Sequence, residues 1–352
     1  MIKEILGFAD FPADGRYPTL ELLGKGLITH VNPGASSANV SFAIAHDGRR
    51  WLRNTGTTNP FVRVPLGQVG ITDAEMKASK VYGGFRYIIP ANAASLSTSA
   101  ILRIVKAGAT IQTMLLENHL STPQDEAFIE YCIDLPNQTW RVWIDGVLKN
   151  SGVFGNDWIT SVEDTRVEMG QIAQAPTSEV HWYNDFYWVL DTSDVDQTPS
   201  KRLGPVKVGA VQVNAADIPG DWTIPEGQTA MTVLKTNTLG PNTETSPVIR
   251  TSANETVGTF GFDQPATEFP ILAVSLELYG FRDTGTAPVL VSQLKQGEVL
   301  ADPKQHHLDT SFLKEGANAN RIGCLNLDLN NQPWTKEAVD ALEIRINSKT
   351  GG

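Results

Sequence analysis

The sequence predicts an all-β protein built from two consecutive antiparallel β-sandwich domains. Three observations carry that expectation. Apolar residues recur with a period of two in many short runs, the 30 glycines and 20 prolines are scattered between those runs, and helix signals are few and short. A period of two sends alternate side chains to opposite faces of a strand, so one-sided strands must bury their apolar faces by packing sheet on sheet. At 352 residues the chain exceeds one sandwich core and suits two domains.

Thr72 or Asp73 is placed to cap one or two helical turns through Lys80. Further on, Ile129, Tyr131, Ile133 and Leu135 alternate with Glu130, Cys132 and Asp134, a half-buried strand. Trp140, Val142 and Ile144 then share a face, Asp145-Gly146 follows, and Val147-Leu148-Lys149 resumes the apolar run. That pattern predicts a hairpin, because the tight turn needs positive φ at its centre. Between Trp182 and Leu190, the residues Trp182, Phe186, Trp188 and Leu190 fall on one face, with Tyr183, Asp185 and Tyr187 on the other. Bulk on both sides predicts a strand packed on one face and partly covered on the other.

Alternation stops at Asp191, and a polar stretch containing Pro199 runs to about Arg202. It predicts a linker. The expected division is residues 1–194, a linker at 195–204, and a second sandwich at 205–352. After the linker, Val206 and Val208 alternate before the phase slips to Val211 and Val213, the signature of a β-bulge. Residues 214–268 predict long loops with brief strands such as Met231–Leu234. Leu272, Val274, Leu276 and Leu278 form an apolar face, as do Leu325, Leu327 and Leu329, and the last strand carries Leu342, Ile344 and Ile346. Thr335 can cap a short helix at 336–341, with Glu337 in its first turn. Heptad, collagen and solenoid repeats are absent from the sequence.

A net charge of −11 with no long basic run argues against nucleic-acid binding, which requires a clustered cationic surface. Arg49-Arg50 and Lys201-Arg202 are expected to be solvated turns. Cys132 and Cys324 lie in strand-like runs and are expected to be buried free thiols. The opening MIKEILGFADF has no signal-peptide character, and no apolar stretch is long enough to cross a bilayer, so a soluble protein made in a cytoplasm is expected.

Catalytic spacings are missing: there is no G-x-S-x-G, no complete phosphate loop, no H-E-x-x-H and no paired C-x-x-C. Sandwich glycosidases set two or three carboxylates along one strand to flank a sugar bond. Asp164 and Glu168 share a face, but the full acidic alternation is lacking, so a solvated strand face is expected there. His306, His307 and Asp309 suggest a metal fragment, yet adjacent strand residues point apart, which favours a polar loop. Asp10, Asp14 and Asp185 could meet around a calcium, since hard cations need several oxygens, but exposed turn residues are expected. No enzyme activity, cofactor or metal is therefore expected. Among the aromatics, Trp140, Trp182 and Trp188 belong to apolar faces, and Trp158 adds to the density; Trp143 and Tyr183 are the ones that could be exposed for sugar stacking.

The runs WRVWIDGVLKNSG (140–152), HWYNDFYWVLDTSD (181–194) and GGFRYIIP (83–90) resemble strands of concanavalin A-like (laminin G-like) domains. That resemblance covers residues 1–195 and implies a jelly-roll sandwich. RLGPVKVGAVQVNAADIPGDWT (202–223), YGFRDTGTAPVLVSQLKQG (279–297) and QPWTKEAVDALEIRINS (332–348) resemble the C-terminal part of tailed-phage minor structural and tail-associated proteins. PNTETSP (241–247) departs from that group, standing where an acidic tract is usual. The resemblance implies a non-enzymatic virion component (tail fibre, collar or head decoration) that binds other virion proteins, forms a homo-oligomer and resides in the virion. The alternative is an adhesin that recognises host-surface glycans.

Overall fold

A computed structural model of the chain describes residues 1–7, 29–30, 40–45, 47–54, 61–88, 101–106, 109–115, 126–154, 162, 165–170, 181–191, 201–236, 249–251, 256–279, 288–307 and 319–350. The protein is all-β and divides into two compact units, Met1–Val208 and Gly209–Gly352. Residues 192–200 of the expected linker lie outside the described residues, and Lys201–Val208 belongs to the first unit.

The first unit contains β1 (Ile2–Leu6), β2 (Thr29–His30), β3 (Val40–Ile44), β4 (Arg50–Asn54), β5 (Phe61–Pro65), β6 (Lys80–Ile88), β7 (Ile101–Lys106), β8 (Ala109–Leu115), β9 (Glu126–Asp134), β10 (Thr139–Ile144), β11 (Val147–Val153), β12 (Thr165–Gly170) and β13 (His181–Asp191). Eight strands form one antiparallel sheet in the order β11-β10-β9-β6-β13-β4-β3, with β1 also paired to β13. Five form another, β2-β5-β12-β7-β8. The short helix α1 (Asp73–Ala78) starts where the sequence predicts: the Thr72 hydroxyl accepts from the Glu75 amide, and the Glu75 carboxylate accepts from the Thr72 amide.

Register sorts the large sheet into two faces. Ile129, Tyr131 and Ile133 oppose Ile144, Val142 and Trp140, and they oppose Phe85, Gly83 and Val81 on the other side. This is the apolar face, where Phe186 stacks on Phe85 and Trp188 with ring centroids 5.6 and 5.8 Å apart. Glycine makes it possible. A Cβ on Gly83 would stand 2.2 Å from the Tyr131 ring, and one on Gly84, facing the other way, 2.3 Å from the Tyr187 ring. The Gly83-Gly84 pair thus clears space for one tyrosine on each side of the sheet. The hairpin turn is as expected, with Asp145 and Gly146 at φ 48° and 81°.

Two expectations are corrected in this sheet. The alternation in β9 predicts a half-buried strand, yet Ala127 through Asp134 is buried throughout. In β13 the alternation breaks, because the register against β6 shifts between Asn184 and Tyr187, so Asp185 sits in a bulge at φ 53°. Tyr183 consequently lies inside rather than exposed, at 1%.

The second unit contains β14 (Val213–Asp217), β15 (Trp222–Thr223), β16 (Arg250–Thr251), β17 (Thr256–Phe262), β18 (Val274–Tyr279), β19 (Pro288–Gln296), β20 (Val299–Leu300), β21 (Lys304–His307), β22 (Ala319–Leu325) and β23 (Leu342–Thr350). A six-stranded sheet, β14-β17-β23-β19-β20 with β21 on β19, accompanies two pairs, β15-β16 and β18-β22. Phe260, Leu294, Leu342, Ile344 and Ile346 from the large sheet cluster with Leu276 from β18 and with Trp334, Ala338 and Val339. The last two belong to α3 (Lys336–Asp340), whose Thr335 cap accepts from the Ala338 amide as expected.

Several local expectations are overturned here. Met231–Leu234 is helical, within α2 (Ala230–Thr236), because the Thr229 hydroxyl accepts from the Thr232 amide and caps a turn that buries Val233. Leu325, Leu327 and Leu329 do not share a strand. The chain turns at Asp328, whose carboxylate accepts from the amides of Asn330 and Gln332, and Leu327 is exposed. Val206 and Val208 form no strand either; the first strand of this part begins at Val213.

Candidate functional site

The second face of the large sheet is polar and aromatic, and the segment Lys201–Val208 lies across it as a strap. The strap has no ladder pairing of its own. Four of its backbone groups, the amides of Leu203, Gly204 and Val208 and the carbonyl of Val206, are met by side chains rising from the sheet. Glu130 on β9 accepts from the Gly204 amide at 2.9 Å, from Arg202 Nη1 at 2.9 Å and from the Tyr187 hydroxyl at 2.5 Å. That hydroxyl accepts in turn from the Leu203 amide at 3.2 Å. Arg86 Nη2 donates to the Val206 carbonyl at 2.9 Å, and the Val208 amide donates to Asp185 Oδ1 at 2.9 Å. Gly7 leaves room for the end of the strap, since a Cβ there would come 2.8 Å from Val208 Cγ1.

Glu130 and Asp185 are both at 0% exposure, and a buried charge persists only when paired and hydrogen-bonded. Asp185 receives both Arg49 Nη1 (2.8 Å to Oδ2) and Arg86 Nε (2.9 Å). Arg86 also pairs with Glu126, and Arg49 Nε with Asp47 at 2.6 Å. Burial pulls the Arg49 guanidinium down, but the charges of Asp185 and Asp47 and the hydrogen bonds to both together outweigh it and hold Arg49 above its ordinary value. Burial raises the Asp47 carboxyl, while hydrogen bonds from Arg49 overcome that and leave it below the carboxylate range. Arg49 and Arg202 are therefore partners of buried acids rather than solvated turn residues.

Aromatic rings flank this seam. Phe128 stacks on Tyr187 at 6.2 Å with Arg86 over its face. At the other end, half-buried Trp143 lies 6.5 Å from half-buried Tyr82, and the Arg202 guanidinium sits 4.8 Å above the Trp143 ring. Arg141, two residues before Trp143, is exposed, and Lys80 lies 3.7 Å from Asp134 at the same end of the sheet. The result is a shelf of two half-buried rings edged by exposed Arg141 and half-exposed Lys80.

Glu168 is not on a solvated face: it is buried at 2%, bound to Arg166 Nε at 2.9 Å and registered opposite Arg103 and Arg63. Asp164 lies outside the described residues, as do Asp10, Asp14, Asp309 and Trp158. His306 is in a strand rather than a loop, buried, with Nε2 2.7 Å from the Ser292 hydroxyl. Burial, with the Lys304 charge adding to it, holds His306 below its ordinary value. Among the described residues no group of three or more potential metal ligands converges. Cys132 is a buried thiol that burial pushes up to about 12, and Cys324 is half-buried; neither is in a disulfide.

Sequence reasoning did not find the Glu130–Tyr187–Arg202 and Asp185–Arg49–Arg86 groups. The available signal was bulk on both faces of β13, which requires a cover, together with acids placed between those bulky residues.

No family model matches the sequence, and no curated protein matches it. Among solved structures, similarity is found to domain 4 of AbnA, a GH43 extracellular arabinanase from Geobacillus stearothermophilus, in complex with arabinotriose. That match has 14% identity and a TM-score of 0.32, covering 53% of this chain and 91% of the other. Lectin II from Ulex europaeus matches at 10% identity and TM-score 0.32, covering 54% and 99%. The T. cruzi calreticulin globular domain matches at 8% identity and TM-score 0.31, covering 55% and 90%. The likeness to lectin-type sandwiches is distant, and the description of the fold rests on the strand order and register given above.

Proposed function

We propose that the protein is a non-catalytic recognition module whose first unit binds carbohydrate at the Tyr82–Trp143 shelf. The observation that carries this reading is a pair of half-exposed rings beside exposed Arg141 and the Lys80–Asp134 pair. Sugars present apolar C–H faces and many hydroxyls, so a ring surface edged by the charged donors of Arg141 and Lys80 complements them. The reading as a binder rather than an enzyme is supported by the state of the carboxylates. Among the described residues, buried Glu130, Asp134, Glu168, Asp185 and Asp328 each hold hydrogen bonds or ion pairs within the protein. Acid–base chemistry on a glycosidic bond needs carboxyls open to substrate.

The test is a glycan array followed by calorimetry with bound glycans, using the full chain. Trp143→Ala and Tyr82→Ala should each weaken binding by about tenfold or more, the scale of a lost ring contact, with unchanged circular dichroism. Selective binding unaffected by either substitution would move the site elsewhere, and release of reducing sugar would overturn the non-catalytic reading.

A virion role is a second proposal, resting on the sequence likeness of residues 202–223, 279–297 and 332–348 to phage tail-associated proteins. It is compatible with the first, since an adhesin can be a particle component. Antibody labelling of intact particles would support it by decorating a defined position.

A further inference from the structure

We propose that the strap is a built-in competitor for the Trp143 face, so that the recognition surface exists in a closed and an open form. This inference rests on the carbohydrate reading for its ligand, but not for its mechanism. The Arg202 guanidinium lies 4.8 Å from the Trp143 ring centroid, where a stacked ligand would sit. The same guanidinium is held by Glu130 Oε2 at 2.9 Å and reaches the Gly146 carbonyl at 3.4 Å. It therefore bridges the sheet to the hairpin turn that follows Trp143.

The attachment is of a kind that can open. Strap atoms make no strand ladder; they are held by side chains of Glu130, Tyr187, Arg86 and Asp185. Arg202 keeps 30% of its side chain at solvent, and Lys201, Pro205 and Lys207 are exposed. Only the Arg202 end covers the aromatic shelf. The Val208 end is anchored to Asp185, which Arg49 and Arg86 hold independently. Release can thus begin at Arg202 while the far end stays fixed, uncovering Trp143 without unfolding the sheet. Ligand stacking and Arg202 stacking exclude each other, so binding must draw on the open population and its apparent affinity is lowered by the closed fraction.

Arg202→Ala and Arg202→Lys separate the possibilities. Lysine keeps the charge for Glu130 but cannot lay a planar group over the ring. Two readouts need no ligand. One is acrylamide quenching of the Trp143 signal, obtained by difference from Trp143→Phe in each background; the other is amide exchange at Leu203, Gly204 and Val208. We expect greater Trp143 quenching in Arg202→Ala than in the parent, with Arg202→Lys between them. Exchange should accelerate at Leu203 and Gly204 and stay slower at Val208.

With a glycan identified on the array, Arg202→Ala should bind roughly 3- to 10-fold more tightly. Weaker binding by that variant would make Arg202 part of the ligand site and overturn the competition. Unchanged Trp143 quenching in a folded Arg202→Ala protein would overturn the gate itself. If neither parent nor variant binds any glycan while quenching rises, the carbohydrate reading fails and the gate stands.

Discussion

Gly83 and Gly84 show how far a single missing side chain can reach. Each leaves the space that a tyrosine ring fills: Tyr131 on the apolar face, whose hydroxyl accepts from Trp188 Nε1 at 2.9 Å, and Tyr187 on the polar face, bonded to Glu130. Gly84→Ala should lower stability by about 1–3 kcal/mol through overpacking, with denaturant unfolding as the measurement. Tyr187→Leu is itself destabilising, because Glu130 loses a hydrogen-bond partner, but in that background Gly84→Ala should cost less than in the parent, and equal costs in both would rule out the ring clash as the cause. Asp185 combines positive φ, full burial and two guanidinium partners. Asp185→Ala leaves Arg49 and Arg86 without their shared carboxylate and should destabilise by about 3–5 kcal/mol. Asp185→Asn, which tolerates the backbone angle, should lose less. Cys132, with its thiol raised by burial, should resist thiol reagents at pH 8 in the native protein and react once unfolded.

At the level of elements, local chemistry decided most helix starts and one strand was misjudged for lack of a neighbour. Thr72 and Thr335 cap their helices as the sequence indicates, because a hydroxyl one position before an amphipathic turn satisfies an orphan amide. Thr72→Ala should cost about 0.5–2 kcal/mol, detectable as faster amide exchange across Asp73–Ala78. The loss is bounded by the remaining Lys3–Glu75 pair at 2.6 Å. The four residues Met231–Leu234 fit periods of two and 3.6 equally, so the strand expectation fails there; the Thr229 cap is what distinguishes the helix. Alternation in β9 predicts half-burial because it reports which side chains differ in polarity, not whether something covers the polar side. The strap covers it, and nothing in the Lys201–Val208 pattern distinguishes a covering segment from an edge strand.

For the whole molecule, charge follows the same logic. Stability should fall with acid in two stages. His306 is held below its ordinary imidazole value in the folded state, so the unfolded chain takes up the proton first. Its effect is absent above pH 6.5 and becomes destabilising as pH drops below that value. His306→Gln should flatten this first loss in a pH series of melting temperatures. Asp47 and Glu75 are held below their ordinary carboxyl values, so the stability they contribute is present above the carboxylate range and lost as pH falls through it.

What the sequence by itself determined is the all-β class, the hairpin at Asp145-Gly146, the two threonine caps and the apolar faces of β10 and β23. Each depends on neighbours within a few positions, where backbone geometry fixes which side chains share a side. What only the tertiary structure decided is the fate of the acids. Glu130 meets Arg202 and Asp185 meets Arg49 across 72 and 136 positions of chain. The ion pairs that turn these carboxylates from solvated residues into the seam of a covered sheet arise from packing, which no local period encodes.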